Sequence, residues 1–150
     1  MLEIKDKLVK LLDNFNMNTK ISCSTLITED GLIIASNSEH NYQDEEEHTN
    51  FAALSASMLS MAERGIEIIN ANKNLQQIKI DASNSGSSDS NFSILITRVI
   101  ANILIQMIFP KEINIGLIDF EISKLTNEVR KIVQQNSFKE ELFTNIGSLL

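Results

Sequence analysis

The side chains that most often perform chemistry are few in this sequence of 150 residues. Cys23 is the only cysteine, which excludes an internal disulfide and a thiolate metal cluster within one chain. Its neighbours are Ser and Ile residues of a predicted strand, where a thiol is more often buried and structural than nucleophilic. The two histidines, His40 and His48, lie in one polar stretch without metal-ligand spacing. The sequence therefore predicts no metal site and no cofactor.

His48 could form a general base with a carboxylate, because it follows the acidic residues Asp44, Glu45, Glu46 and Glu47. The commoner role of such a run is to begin a helix, since a negative charge near a helix N-terminus contributes about 0.3–1 kcal/mol. We interpret His48 as part of this solvated helix start. The five glycines form no phosphate-binding loop, and no Gly-x-Ser-x-Gly nucleophile elbow is present. We therefore predict that the chain is not an enzyme.

The negative charge of the chain is concentrated in one region. The formal net charge is −7, from 13 basic and 20 acidic residues. Seven of the acidic residues lie between Glu29 and Glu47, where Lys and Arg are absent, so the rest of the chain is neutral. Nucleic acids and anionic membranes attract Lys and Arg patches, and we expect neither as a partner. No apolar run reaches about 18 residues and the first residues lack a signal-peptide core, which predicts a cytoplasmic protein without membrane insertion.

Periodicity predicts a helix, a β-hairpin and a long helix in the first half of the chain. Residues 2–16 carry apolar side chains at the helical spacing i, i+3, i+4 and i+7. Two runs rich in β-branched residues, 21–28 and 32–36, flank Asp30-Gly31, which is a strong hairpin signal. After a polar connection, residues 45–70 form the longest predicted helix.

Two faces of this long helix differ in character. The first is an apolar stripe, which we expect to face the core: Phe51, Leu54, Met58, Ala62, Ile66 and Ile69. The opposite face carries mainly small side chains, where a solvated face usually has long charged ones: Ala53, Ala56, Ser57, Ser60, Arg64 and Glu67. Small residues allow another backbone to approach closely, although Ala and Ser are also tolerated on a solvated face. Apolar residues on the flanks favour a second buried contact: Leu59, Met61 and Ile68.

Three strands and a helix are predicted in the second half. Residues 76–82 alternate between apolar and polar side chains, which is typical of a strand with one buried face. Residues 92–99 and 103–109 form the most apolar strands, expected at the centre of the sheet. The Ser-rich stretch 84–91 is predicted to be a flexible loop. A helix then runs from an N-cap at Asn114 to about residue 135.

A short last helix is expected after Ser137, which has the capping-box spacing to Glu140. One side of this helix is apolar: Phe138, Leu142, Ile146 and Leu149. The order of elements is α-β-β-α-β-β-β-α plus this extra helix. This order predicts an α/β (α+β) fold, and the length predicts one main domain.

Three motifs occur in order along the chain. The first is the hairpin Leu26-Ile-Thr-Glu-Asp-Gly-Leu-Ile-Ile-Ala-Ser36. The second is the acidic run with the helix segments Ala52-Ala-Leu54 and Leu59-Ser-Met-Ala-Glu-Arg64. The third is Asn114-Ile-Gly-Leu-Ile118 before the amphipathic helix. Together they resemble the Roadblock (dynein light chain) superfamily over residues 1–135, with residues 136–150 as a C-terminal helical extension.

The resemblance implies a five-stranded antiparallel sheet flanked by helices. Members of the superfamily typically dimerise by placing their central helices side by side and pairing their third strands. The resemblance therefore assigns a dimer interface to the small-residue face and the third strand: Ala53, Ala56, Ser57, Ser60, Arg64, Gln77, Lys79 and Asp81. The acidic run and the last helix become candidate partner-binding residues: Asp44, Glu45, Glu46, Glu47, Phe138 and Leu142. The last helix could instead cap the sheet of its own protomer.

The leading hypothesis is a homodimeric, non-catalytic Roadblock scaffold that regulates a Ras-like small GTPase, which is what the resemblance implies. If GTP hydrolysis is stimulated, we do not expect Arg64, Arg98 or Arg130 to supply a finger residue. The alternative is an obligate subunit of a larger scaffold, paired with a related Roadblock chain and without contact to a GTPase. A third hypothesis is a ligand-sensing PAS- or profilin-like domain, which the absence of Trp and the single Tyr42 disfavour.

Overall fold

The structure is a computed structural model that describes residues 2–21, 23–38, 45–84, 87–110 and 113–135. Its elements follow the predicted order α-β-β-α-β-β-β-α: α1 (Leu2–Thr19), β1 (Cys23–Thr28), β2 (Ile33–Ser38), α2 (Glu45–Ile69), β3 (Gln77–Asn84), β4 (Ser87–Ile100), β5 (Ile103–Pro110) and α3 (Ile115–Gln134). The predicted α+β fold class is confirmed. The helix predicted after Ser137 lies outside the described residues.

The sheet is antiparallel throughout and has the strand order β2-β1-β5-β4-β3. β5 lies at the centre with β4 beside it, as the apolar composition of these two strands predicts. Each is flanked by strands on both sides, so its backbone groups are paired away from water. β2 and β3 are the two edge strands.

The β3–β4 hairpin is longer than the sequence predicts. β3 extends to Asn84 and β4 begins at Ser87, and these two residues are paired. The flexible loop predicted at residues 84–91 is therefore wrong for the residues described there. Ser, Asn and Asp have low strand propensity, but that propensity depends strongly on context. Here the ladder begun by the apolar part of the hairpin continues into the polar part, with a register shift between Ala82 and Asn84.

The β1–β2 turn confirms the Asp30-Gly31 prediction and brings α2 close to the sheet. Gly31 has a φ of 87°, and its N–H donates to the Thr28 carbonyl oxygen at 2.9 Å. A Cβ atom at Gly31 would lie 2.7 Å from the Cα of Ala53 in α2. Glycine is therefore required at this position for two reasons, the left-handed backbone conformation and the close approach of the helix.

Helices cover both faces of the sheet, so the core has two parts. α1 and α3 pack on one face in the larger cluster, which includes Leu8, Leu12, Phe15, Leu26, Ile105, Met107, Ile118, Leu125 and Val129. α2 alone packs on the other face, in a smaller cluster: Ile27, Ala52, Leu59, Ile96 and Leu104. Neighbouring strand residues alternate between the two clusters because successive side chains point to opposite faces. α3 begins as predicted, with Asn114 Oδ1 accepting the N–H groups of Gly116 and Leu117 at 2.9 and 3.3 Å.

α2 presents a different face to the sheet from the one that its apolar pattern predicts. Its buried residues are Ala52, Ser55, Ala56 and Leu59. Leu54 and Ile69 of the predicted core stripe are 55% and 82% exposed, so their placement in the core is wrong. The other four stripe residues are half-buried: Phe51, Met58, Ala62 and Ile66. Large sheet side chains already fill the space below α2, and small helix residues fit against them.

Candidate interaction surface

α2 is attached to the sheet by three polar contacts as well as by its apolar cluster. His48 lies 3.0 Å from the Thr25 hydroxyl of β1, measured from Nε2 to Oγ1. Ser55 donates to Gln106 Oε1 of β5 at 2.7 Å. Glu63 forms an ion pair with Arg98 of β4. The helix therefore crosses from β1 over β5 to β4, with one polar contact on each strand.

His48 is a half-buried part of this attachment, and its interpretation as a solvated helix start is wrong. Thr25 Oγ1, Ser36 Oγ and His48 Nε2 form a triangle, with Ser36 Oγ 2.9 Å from Thr25 Oγ1 and 3.5 Å from His48 Nε2. Burial lowers the pKa of His48, because the imidazolium form loses hydration. A hydroxyl beside a histidine resembles a nucleophile and its base. Thr25 is completely buried, however, so its own hydroxyl is not accessible to a substrate.

Arg98 ties α2 to two turns at the same end of the sheet. Its guanidinium forms ion pairs with Glu29 and Glu63 and donates to the Ala101 carbonyl oxygen at 2.6 Å. Glu29 belongs to the β1–β2 turn and Ala101 to the β4–β5 turn. Because the Arg98 side chain is only 17% exposed, it is held within the protomer and does not project toward a partner.

The face of α2 that points away from the sheet is apolar and exposed. Leu54, Met61 and Ile68 follow one another at intervals of seven along this face, and all three are exposed. Of the predicted small-residue face, Ala53, Ser57, Ser60 and Arg64 are also exposed. Ala56 is not. It is 6% exposed beneath the helix, so its placement on the outward face is wrong.

The two flanks of α2 face different parts of the sheet. Ala53 lies against the β1–β2 turn, since Gly31 approaches its Cα closely. Met58 is about 140° further round the helix, at about 100° per residue. It packs on the smaller cluster together with Ile78 of β3 and Ile94 of β4. We call these sides the small-residue flank (Ala53, Ser57, Ser60 and Arg64) and the apolar flank (Phe51, Leu54, Met58, Ala62 and Ile69).

The sheet beside the apolar flank is only partly covered. Ile80, Ile94 and Ile108 are cross-strand neighbours on the α2 side of β3, β4 and β5, and all are half-buried. Phe92 continues this row on β4 and is 40% exposed. Together with the apolar flank, these residues form an apolar area that the described part of the chain covers only in part.

The edge strand β3 adjoins this apolar area. The Gln76 carbonyl oxygen accepts the N–H of Arg98 at 3.0 Å. Backbone groups of an antiparallel strand point alternately to its two sides, so those of Ile78 and Ile80 also point to β4. The backbone groups of Gln77 and Lys79 therefore point to the open edge. The Asp81 side chain accepts from Ser93 at 2.5 Å and lies 3.7 Å from Lys79 Nζ.

The remaining predicted site residues divide into two groups. Glu45, Glu46 and Glu47 form the first turn of α2 and are exposed. Asp44, Phe138 and Leu142 lie outside the described residues.

Among the described side chains, no group of three His, Cys, Asp or Glu residues could hold a metal ion. No helix within the described ranges is long and apolar enough to cross a membrane.

Solved structures share this arrangement at low sequence identity. MglB of Myxococcus xanthus is 19% identical, with a TM-score of 0.71 over 87% of this chain and 90% of that chain. A Roadblock/LC7 domain from Streptomyces avermitilis is 13% identical, with a TM-score of 0.70 over 83% of this chain and 96% of that domain. The chain has the Roadblock/LC7 fold. No protein-family model matches the sequence, and no curated protein matches it.

These two structures match this chain better than a profilin does. Profilin IA of Acanthamoeba castellanii is 11% identical, with a TM-score of 0.50 over 85% of this chain and 98% of that chain. The sequence indicated that Met61 and Ile68 belong to a second contact surface but assigned Leu54 to the core. It therefore missed that these three residues form one outward row at a spacing of seven. It also missed the polar contacts of α2, for which an arginine within the apolar strand β4 was the available signal.

Proposed function

We propose that this chain is a Roadblock-type scaffold, which dimerises through α2 and β3 and binds a Ras-like small GTPase without supplying catalytic residues. The main support for this proposal is that three surface features adjoin one another: the apolar flank of α2, the partly covered sheet area and the open edge of β3. Each alone is a common surface feature. Their combination fits a second copy of the same chain, because antiparallel pairing of two β3 edges generates the twofold symmetry of a closed dimer.

The apolar flank is the side of α2 that we assign to this dimer. Pairing of two β3 strands continues the sheet into the partner and brings the partner's α2 beside the partly covered area at Ile80 and Phe92. The apolar flank faces that area, whereas the small-residue flank lies toward the β1–β2 turn. The interface predicted from the sequence, with Ala53, Ser57, Ser60 and Arg64 at its centre, is the alternative position that the same experiment tests.

Two matched variants separate the flanks. We expect Met58→Glu to convert the dimer to a monomer, because it places a charge in an apolar contact. Ser60→Glu on the small-residue flank should leave the dimer intact. Light scattering at micromolar concentration gives the mass, to be compared with the 16.8 kDa of one chain, and circular dichroism checks folding. A monomeric wild type would disprove the dimer. Dissociation by Ser60→Glu alone would place the interface on the small-residue flank.

The β3 edge is tested by removing one outward N–H group. Lys79→Pro lacks the donor that the proposed strand pairing needs, while the neighbouring residues that pair with β4 keep theirs. We expect weaker dimerisation by Lys79→Pro, measured by sedimentation at a series of concentrations. Lys79→Ala keeps the backbone donor and serves as the control. Equal dimerisation of the two variants would show that β3 is not part of the interface.

Binding of a small GTPase is supported by the Roadblock/LC7 fold and by the exposed acidic turn of α2. The test is co-elution of the purified dimer with Ras-like small GTPases loaded with GDP or a GTP analogue. We expect a complex with at least one of them. If GTP hydrolysis is stimulated, Arg64→Ala and Arg130→Ala should retain the stimulation. A dimer that binds none of the GTPases and instead pairs with a related Roadblock chain would favour the alternative of a scaffold subunit.

A further inference from the structure

The open edge of β3 carries two opposite charges on the same face of the sheet. Lys79 and Asp81 have backbone groups that point away from β4, since those of Ile78 and Ile80 pair with it. Their side chains lie on the face opposite α2, because they alternate with the isoleucines that face α2. Lys79 Nζ lies 3.7 Å from Asp81 Oδ1, and the two side chains are 43% and 49% exposed. The edge therefore presents a positive and a negative charge to any strand that pairs with it.

The proposed dimer allows only a few registers between two such edges. Across a twofold axis, antiparallel strands place residues with outward backbone groups opposite each other. In β3 these residues are Gln77, Lys79 and Asp81, before the register shift that follows Ala82. Lys79 can then lie opposite Gln77, Lys79 or Asp81 of the partner subunit. Other registers overlap this stretch less and form fewer backbone hydrogen bonds.

Charge distinguishes these three registers, whereas apolar contact does not. In each of them, isoleucines of the two strands meet on the α2 face. Lys79 opposite its own copy brings like charges together at the axis, which destabilises the pairing. Lys79 opposite Gln77 faces a neutral side chain. Lys79 opposite Asp81 forms two opposite-charge pairs, one on each side of the axis, and such pairs stabilise a sheet.

We propose that two copies of this chain pair their β3 edges in the register that places Lys79 opposite the partner's Asp81, with Ile80 opposite its own copy at the axis. This inference rests on the proposed dimer and adds its register. Each Lys79 then lies between Asp81 of its own strand and the partner's Asp81, so the four charges alternate in sign. Because this pattern is complementary to itself, it selects a second copy of the chain over a related chain that lacks the two charges at this spacing.

Charge reversal tests the register. Lys79→Glu makes all four charges negative, and Asp81→Lys makes all four positive. We expect each variant alone to dimerise at least about tenfold more weakly than the wild type, because like charges then lie opposite each other twice. An equimolar mixture of the two variants should form heterodimers about as tightly as the wild type forms its dimer. Sedimentation at a series of concentrations gives the dissociation constants, and native mass spectrometry identifies heterodimers when one chain carries a mass tag.

The double variant Lys79→Glu/Asp81→Lys is the matched control, because it restores opposite charges across the axis and should dimerise like the wild type. It shares with Asp81→Lys the loss of the hydrogen bond from Ser93, so this loss cannot explain a difference between them. A monomeric wild type would disprove the dimer, and the register with it. A dimeric wild type that Asp81→Lys leaves unchanged would overturn the register alone, since Lys79 would then lie opposite Gln77 or its own copy.

Disulfide formation locates the axis. In the proposed register, the Cα atoms of the two Ile80 residues are about 4.5 Å apart in a non-hydrogen-bonded pair, which a disulfide can span. Ile80→Cys should therefore give a covalent dimer on mild oxidation, and Cys23 does not compete because it is completely buried. Ile78→Cys is the control, since its two copies would lie about 14 Å apart along the strands. A covalent dimer from Ile78→Cys instead, or from neither variant of the dimeric protein, would overturn the register.

Discussion

Single residues in this protein have roles that depend on what lies opposite them in the fold. Gly31 and Gly65 are both glycines, but only Gly31 has a positive φ and a helix backbone within van der Waals distance. His48 resembles a solvated residue of an acidic helix start in the sequence, and in the structure it is a half-buried neighbour of two hydroxyl groups. The chemistry of each residue is the same in both descriptions, and its surroundings decide its function.

Gly31→Ala should destabilise the protein by about 1–3 kcal/mol, because the new Cβ meets the Ala53 backbone and the left-handed conformation disfavours alanine. Gly65→Ala is the matched control. Apart from its chain neighbours and the backbone of α2 itself, no described atom lies within 4 Å of a Cβ built at Gly65, which is inside α2. Alanine is a better helix former there, so stability should rise by about 0.5–1 kcal/mol. Urea unfolding measures both changes, and effects of the same sign would contradict this account.

His48 should make the stability pH-dependent. Burial lowers its pKa below the ordinary value of 6.5, so the unfolded state binds more protons just below pH 6.5. The free energy of unfolding should therefore be fully retained above about pH 6.5 and fall as the pH drops from there toward the folded-state pKa.

Urea midpoints at pH 5.5 and 7.5 measure this difference. His48→Asn should reduce it, while His40→Asn, which removes the other histidine, should retain it. An unchanged difference in His48→Asn would show that another group is responsible.

At the scale of elements, α2 is the helix whose packing departs most from its own hydrophobic pattern. α1 and α3 bury the stripes that periodicity predicts, because they share a wide apolar face of the sheet. α2 packs alone on the other face and contacts it through Leu59, through small residues and through three polar contacts. This arrangement leaves much of its apolar surface exposed, which is the surface that the proposed dimer uses.

Arg98→Met should weaken the attachment of α2 to the sheet, because the charged hydrogen bonds of the guanidinium to both turns and to the helix are lost. We expect the free energy of unfolding to fall by about 1–3 kcal/mol. Arg130→Met removes an exposed arginine of α3 and should change stability by less than about 0.5 kcal/mol. Hydrogen exchange should show faster opening of α2 in Arg98→Met only. Equal effects of the two variants would mean that the ion pairs contribute nothing specific.

At the scale of the whole molecule, the net charge of −7 comes from the region of the β1–β2 turn and the start of α2. Glu29 forms an ion pair with Arg98. Glu45, Glu46 and Glu47 are exposed on the helix that carries the proposed dimer surface. Acidic residues in the first turn of a helix interact favourably with the helix dipole, so their presence in α2 does not by itself require a binding partner. We expect in addition that a basic surface of the proposed GTPase lies near this turn.

The complex with such a partner should therefore weaken as salt increases, because exposed charges are screened. Replacing Glu45, Glu46 and Glu47 by Gln should slow association and reduce the salt dependence, with little change in protomer folding. Binding kinetics between 50 and 300 mM salt, about 14 to 6 Å of Debye length, measure both effects. Binding that is equally tight at all salt concentrations would show that the acidic turn does not contribute to partner binding and serves only to begin the helix.

Much of this fold could be predicted from local signals. The helical spacing of Leu8, Leu12 and Phe15, the Asp30-Gly31 turn and the Asn114 cap all act within a few residues, and all are present in the structure. The extension of β3 to Asn84 and of β4 from Ser87 could not be predicted, because this part of the ladder is supported by neighbouring strand residues and not by its own composition. The face of α2 that packs on the sheet could not be predicted from the sequence either, since it depends on which sheet side chains lie below the helix.

The sequence by itself determined the order of elements, the two-sided burial of the central strands and the position of the charge. These follow from periodicity, turn chemistry and residue counts, which are local properties. Only the tertiary structure decided that Ala56 is buried while Leu54 is exposed, that Arg98 is held within the protomer, and that the apolar flank of α2 adjoins an open strand edge. These depend on contacts between residues far apart in the chain, and the pattern of one element does not specify the surface that another element presents to it.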